Sequence, residues 1–181
     1  AINDVDCPRK KCHANRIVWF GCFLICLFFA LLTVDRNRVW KNELTLWSDA
    51  KKKSPHGWRP LNNLGEAYDK LKRYDEAIFQ FEAALKLNPS YYFGLSNIGN
   101  IYGKMGKYEK SKVYFLRAIQ IKPDYAPAHY NLARALGSTR QKEESRVHYI
   151  KAVKYNPFFE EAWFNLAFTE SEIGKLDSAV E

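Results

Sequence analysis

LNNLGEAYDKLKRYDEAIFQFEAALKLNP, residues 61–89, holds two helical patterns joined by a short polar turn and ended by proline. In the second pattern Ala77, Phe81 and Ala84 fall at spacings of four and three, which gives a helix one apolar face. In the first, Gly65 is a small residue with the large Tyr68 one turn on. Small opposite large is how antiparallel helices interlock, ridge into groove. Pro89 cannot continue a helix and so fixes the turn that follows.

The pattern recurs. Pro55, Pro89, Pro123 and Pro157 lie 34 residues apart, as do Trp47, Phe81, Phe115 and Tyr149, and Ala50, Ala84, Ala118 and Ala152. Leu64, Ile98, Leu132 and Leu166 keep the same interval, each followed by Gly65, Gly99, Ala133 or Ala167. A period of this length signals a stacked helix–turn–helix array. Residues 58–181 resemble the tetratricopeptide (TPR) family, whose unit has this length and this signature. The expected fold is all-α, a TPR superhelix with units at 58–91, 92–125 and 126–159 and a truncated unit at 160–181. The third unit is the least regular, with Gly137-Ser138-Thr139-Arg140 in its turn and Ser145 in place of alanine. Residues 38–55 match the second half of a unit through Trp47, Ala50 and Pro55, which predicts a half-repeat helix there. Beginning at Ala1 and stopping within a repeat at Glu181, the sequence reads as part of a longer protein.

Residues 17–34, IVWFGCFLICLFFALLTV, carry no charge between Arg16 and Asp35. A helix of that length reaches about 27 Å, close to the hydrocarbon thickness of a bilayer. We therefore expect a transmembrane helix at 17–34 after an N-terminal loop at 1–16, with the lipid bilayer as one partner. Residues 1–60 hold 11 Lys and Arg against 5 Asp and Glu, whereas residues 61–181 hold 17 against 15. The positive charge thus flanks the apolar segment rather than forming a basic face on the repeats, which argues against nucleic acid as a partner. Orientation is not decided by charge: Arg9, Lys10, Lys11 and Arg16 precede the span, and Arg36, Arg38 and Lys41 follow it.

The first helices of such an array line a concave groove. Asn63, Asn97, Asn131 and Asn165 recur there at the 34-residue period. An amide offers donor and acceptor together, matching the backbone of an extended peptide. The competing reading is that these amides bond to neighbouring helices. Asn100, Lys104, Tyr130, Arg134, Phe164 and Phe168 complete the candidate peptide-binding set, which grows more aromatic toward the C-terminus. A row of cations able to clamp a terminal carboxylate is missing. The ligand is expected to be a protein or peptide.

Catalytic signatures are not found. There is no phosphate-cradling glycine loop, zinc-binding HExxH pair or G-x-S-x-G elbow. Asp4-Val5-Asp6 spells the D-x-D of many glycosyltransferases, but three residues match readily by chance. Cys7 and Cys12-His13 allow a disulfide, a partial metal site or ordinary thiols, and we read them as thiols. No catalytic residue, metal or cofactor is expected.

The junction TVDRNRVWKNELTLWSDAKKKSPHGWRPLNNLGEAY, residues 33–68, resembles polytopic transmembrane-and-TPR proteins of the O-mannosyltransferase type, including their bacterial relatives. Arg36-Asn37, Trp40, Glu43, Leu46-Trp47, Ala50 and Pro55 carry the likeness. The resemblance implies repeats on the extracytoplasmic side, in periplasm or lumen, and catalytic acids in loops that this chain does not contain. The expected function is a membrane-tethered TPR module that binds a peptide as a scaffold. The alternative is the acceptor-binding region of a lipid-linked-sugar-dependent glycosyltransferase.

Overall fold

A computed structural model describes the backbone of residues 8–180 and the side chains of residues 18–174. Within that span the chain forms helices and no strand, in two units, Ala1–Asp49 and Ala50–Glu181. Asp4, Asp6 and Cys7, and the side chains of Cys12 and His13, lie outside the described residues.

In the first unit α1 spans Pro8–Val39. Its Val18–Val39 stretch is long and apolar enough to cross a membrane, and none of it is buried. The helix exceeds the expected 17–34 at both ends, so residues 8–16 are helix rather than loop. Proline is tolerated in the first turn, where its missing N–H has no partner to lose. Arg36 and Arg38 in the last turn favour continuation past Asp35, because cations complement the helix C-terminus. The half-repeat expected at 38–55 is correspondingly shorter: Trp40 sits in a turn, 62% exposed, and α2 runs Glu43–Lys53. Asn42 caps α2, its Oδ1 accepting from the Thr45 N–H at 2.9 Å while its own N–H donates to Thr45 Oγ1 at 3.3 Å.

The second unit pairs α3 (Trp58–Lys70) with α4 (Tyr74–Leu87), α5 (Tyr92–Lys104) with α6 (Tyr108–Ile121), and α7 (Ala126–Ser138) with α8 (Lys142–Tyr155). Each hairpin closes the same way. Lys72, Gly106 and Arg140, 34 residues apart, take φ of 59°, 72° and 63°. The next N–H then reaches back five residues: Arg73 to Tyr68 O at 3.0 Å, Lys107 to Tyr102 O at 2.9 Å, Gln141 to Leu136 O at 3.0 Å. A left-handed residue of this kind satisfies carbonyls that a helix end leaves orphaned.

Within each pair one large ring seats on one small residue. A Cβ on Gly65 would meet the Phe81 ring at 2.8 Å, and a Cβ on Gly99 would meet Phe115 at 2.8 Å. Ala133 and Tyr149 hold the same register in the third pair and share one buried cluster. Ala77, Ala84, Ala118 and Ala152 are fully buried, which sets how closely the helices approach. Gly99→Val drives a branched side chain into Phe115, and we expect it to cost about 1–3 kcal/mol, read as a lower urea midpoint with unchanged m-value.

Ser145 is the conserving device of the third pair rather than a flaw in it. Its hydroxyl is 1% exposed and donates to Ala133 O at 2.8 Å, as Ser111 donates to Gly99 O at 2.8 Å. Both bonds tie a second helix to its own first helix and satisfy a buried hydroxyl. A histidine pair joins the same helices. His129 Nε2 lies 2.9 Å from Pro123 O and must carry the hydrogen, so His129 Nδ1 accepts from His148 Nδ1 at 3.0 Å.

The fourth unit departs from the pattern. α9 runs Glu160–Val180 straight through Gly174, the register position at which the other three units turn.

Candidate binding groove

The first helices α5, α7 and α9 line a groove of about 660 Å³. They face it because their opposite sides carry the apolar residues: Leu95, Ile98 and Ile101 on α5 and Leu132 and Leu136 on α7 are buried between helices. Polar and aromatic side chains one position away are therefore turned outward. Seven of the ten expected residues line the groove: Asn97, Asn100, Lys104, Asn131, Arg134, Asn165 and Phe168. Asn63, Tyr130 and Phe164 do not line it, although Tyr130 contacts it through Asn165.

The four periodic asparagines are not equivalent. Asn63 Oδ1 accepts from Asn62 Nδ2 at 3.3 Å, and Asn97 Nδ2 donates to Asn62 Oδ1 at 3.5 Å. Asn165 Nδ2 donates to Tyr130 Oη at 3.1 Å. Asn97 and Asn165 thus bond to a neighbouring helix, as the competing reading requires, whereas Asn63 bonds within α3. Asn131 has no side-chain hydrogen bond among the described residues, and neither has Asn100; both amides are half-buried.

Charge in the groove is mostly cancelled internally. Lys104 binds both carboxylate oxygens of Asp69, 35 residues away, at 2.9 and 2.6 Å. Glu172 pairs with Lys142 at 3.2 Å. Arg134, exposed and set over the Tyr130 ring at 5.7 Å, has no carboxylate partner among the described residues. Burial, then the nearby Tyr130, pushes the Tyr149 phenol on the groove floor up to about 12, so it stays neutral. Phe164 and Phe168 are 73% and 58% exposed at the C-terminal end. Periodicity had located the wall of the groove. The pairing of Lys104 with Asp69 joins two units and had no local signal.

Tetratricopeptide repeat profiles match residues 58–91, 92–125, 126–159 and 148–181. A comparison with curated proteins finds no match. Among solved structures, the first TPR of Spaghetti (RPAP3) bound to the HSP90 peptide SRMEEVD superposes with a TM-score of 0.63 at 20% identity, covering 65% of this chain and 93% of that one. MamA gives a TM-score of 0.68 at 20% identity over 81% of this chain and 87% of its own. The Sgt2 TPR domain from Aspergillus fumigatus gives 0.65 at 23% identity over 68% and 83%. At these identities the likeness is one of fold.

Proposed function

Because the chain belongs to the tetratricopeptide repeat family, we propose that its repeats hold an extended polypeptide along the groove of the first helices. The observation that carries this reading is the pair of uncommitted amides, Asn100 and Asn131, on adjacent units beside the uncompensated Arg134. Each amide matches one peptide unit with a donor and an acceptor. The RPAP3 structure, of the same fold, holds a peptide, which supports that ligand class. The groove here has a single free cation among its described residues, so backbone amide bonding rather than a charge clamp sets the affinity.

The test is an array of immobilised random-sequence peptides probed with the unaltered chain and with an Asn100→Ala, Asn131→Ala variant. Each lost amide removes hydrogen bonds to the ligand, so binding is expected to fall about tenfold or more at unchanged helicity. Equal signals from the two proteins, both folded, would remove this reading.

We also infer that α1 tethers the repeats to a lipid bilayer. The 22 residues Val18–Val39 reach about 33 Å as helix, enough for the hydrocarbon core, and they are unburied. Retention of the chain in the membrane pellet after alkaline carbonate washing is the expected result; release into the supernatant counts against a span. A glycosyltransferase parent is favoured only by the junction residues Arg36 to Pro55. It gives the repeats the same task, with the acceptor polypeptide as ligand.

A further inference from the structure

Two seams between first helices are closed by the same side-chain bond. Asn62 Oδ1 accepts from Asn97 Nδ2 at 3.5 Å, and Tyr130 Oη accepts from Asn165 Nδ2 at 3.1 Å, each across 35 residues. The same register sets Ser96 against Asn131, because Ser96 stands where the neighbouring units have Asn62 and Tyr130. Serine is the shortest of the three and does not make the bond. Its residue is 3% exposed, and its hydroxyl has no hydrogen-bond partner among the described residues. A buried hydroxyl left unpaired is uncommon enough to need a reason. The reason here is positional: a short residue leaves the Asn131 amide uncommitted at the middle of the groove.

Arg134 lies one turn on from Asn131 along α7, and both line the groove. Its guanidinium rests over the Tyr130 ring at 5.7 Å, and Asn165 holds that ring by its hydroxyl. The acids on the groove wall are already engaged, Asp69 by Lys104 and Glu172 by Lys142. A partner for Arg134 therefore arrives with the ligand. A guanidinium only donates, so it favours an acceptor, and a carboxylate also cancels its charge. A ligand lysine would be repelled. The groove continues on both sides of this point, to Asn97 and Lys104 one way and to Asn165 and Phe168 the other. A chain passes through rather than ending here, which makes an interior side chain the source of the carboxylate.

We propose that the peptide is anchored at the seam between α5 and α7, and that the residue seated there is an aspartate or glutamate read by Arg134. This rests on the groove as a peptide site and adds its selectivity. Asn131 holds the backbone, Arg134 reads the side chain, and Ser96 is a positioning residue that keeps Asn131 free.

The test is fluorescence anisotropy of the full chain in detergent micelles with short alanine–serine peptides, amidated at the C-terminus. Their single central residue is glutamate, glutamine or lysine. The glutamate peptide is expected to bind about tenfold more tightly than the glutamine peptide, a charge-assisted bond being the difference. Arg134→Glu is expected to invert the order in favour of lysine. Ser96→Asn is expected to bind the glutamate peptide about fivefold more weakly, because the added amide engages Asn131 as Asn62 engages Asn97. Its urea midpoint is expected to be no lower than that of the unaltered chain. Three peptides that bind alike overturn this proposal and leave the groove reading standing, whereas three that fail to bind overturn both. A glutamate preference that survives Arg134→Glu overturns it as well. So does a Ser96→Asn variant that binds undiminished or has a lower midpoint, because the seam is then not closed by the amide. A glutamine peptide that matches the glutamate peptide once its C-terminus is a free acid also overturns it, because the groove then reads a chain end.

Discussion

Phe115→Ala is expected to remove about 3–5 kcal/mol of stability and to divide unfolding into two steps. The ring is 2% exposed and clusters with Leu132 and Leu136 of the next unit. It also lies against the backbone of Gly99, at a distance that leaves no room for a methyl group. Truncation therefore opens a cavity at the seam between the second and third helix pairs. The surrounding helices cannot close over it, because Ala118 and Ala128 beside the seam are already fully buried. In a linear array stability is a sum of unit and nearest-neighbour terms, so weakening one seam uncouples the units on either side. Native-state hydrogen exchange is expected to show α7 and α8 opening before α3 and α4. A loss below about 1 kcal/mol, or a single cooperative transition as sharp as that of the unaltered chain, would contradict the seam as described.

Acidification is the second large effect, centred on the third pair. Burial, then His129, then Lys151 push His148 down to about 4 from its ordinary value near 6.5. His129 is lowered as well, chiefly by burial, against the pull of the Pro123 carbonyl. Between those two pH values the unfolded chain takes up a proton that the folded chain refuses. The contribution is therefore complete above about pH 6.5 and is lost as pH falls toward 4. Allowing for the partial exposure of His148, the loss is about 1–2 kcal/mol. Carboxylates titrate near the lower end of this window, so the measurement is a difference: melting temperature against pH for the unaltered chain and for His148→Gln. The unaltered chain is expected to lose more between pH 7 and pH 4.5, and parallel curves would refute the linkage.

The fold was legible because the 34-residue period records packing that repeats. Gly65 with Phe81 and Gly99 with Phe115 announce themselves as small and large residues in fixed register, and these are the contacts observed. What was not legible depends on partners across helices. Ser145 reads as a missing alanine until the Ala133 carbonyl is seen 2.8 Å from its hydroxyl. His129 and His148, 19 residues apart in the sequence, meet only because the hairpin brings them together. Of the asparagine ladder, Asn97, Asn131 and Asn165 line the groove and Asn63 does not, and the rungs differ in their partners. Asn97 and Asn165 are held by Asn62 and Tyr130, and such choices follow from side chains that do not keep the period. Lys104 was read as a groove cation, whereas Asp69 neutralises it. The ends of α1 and the missing turn at Gly174 escaped for a different reason: helix boundaries balance small terms that a hydrophobic pattern does not contain.

The three hairpin turns share a backbone shape, but glycine fills only one of them. Lys72 and Arg140 adopt the left-handed conformation at a steric cost of about 1 kcal/mol each, which Gly106 avoids. Those residues thus mark unclaimed reserve. The array tolerates two strained corners because its helix packing is strong enough to impose them, and relaxing either to glycine would strengthen the scaffold without touching the groove.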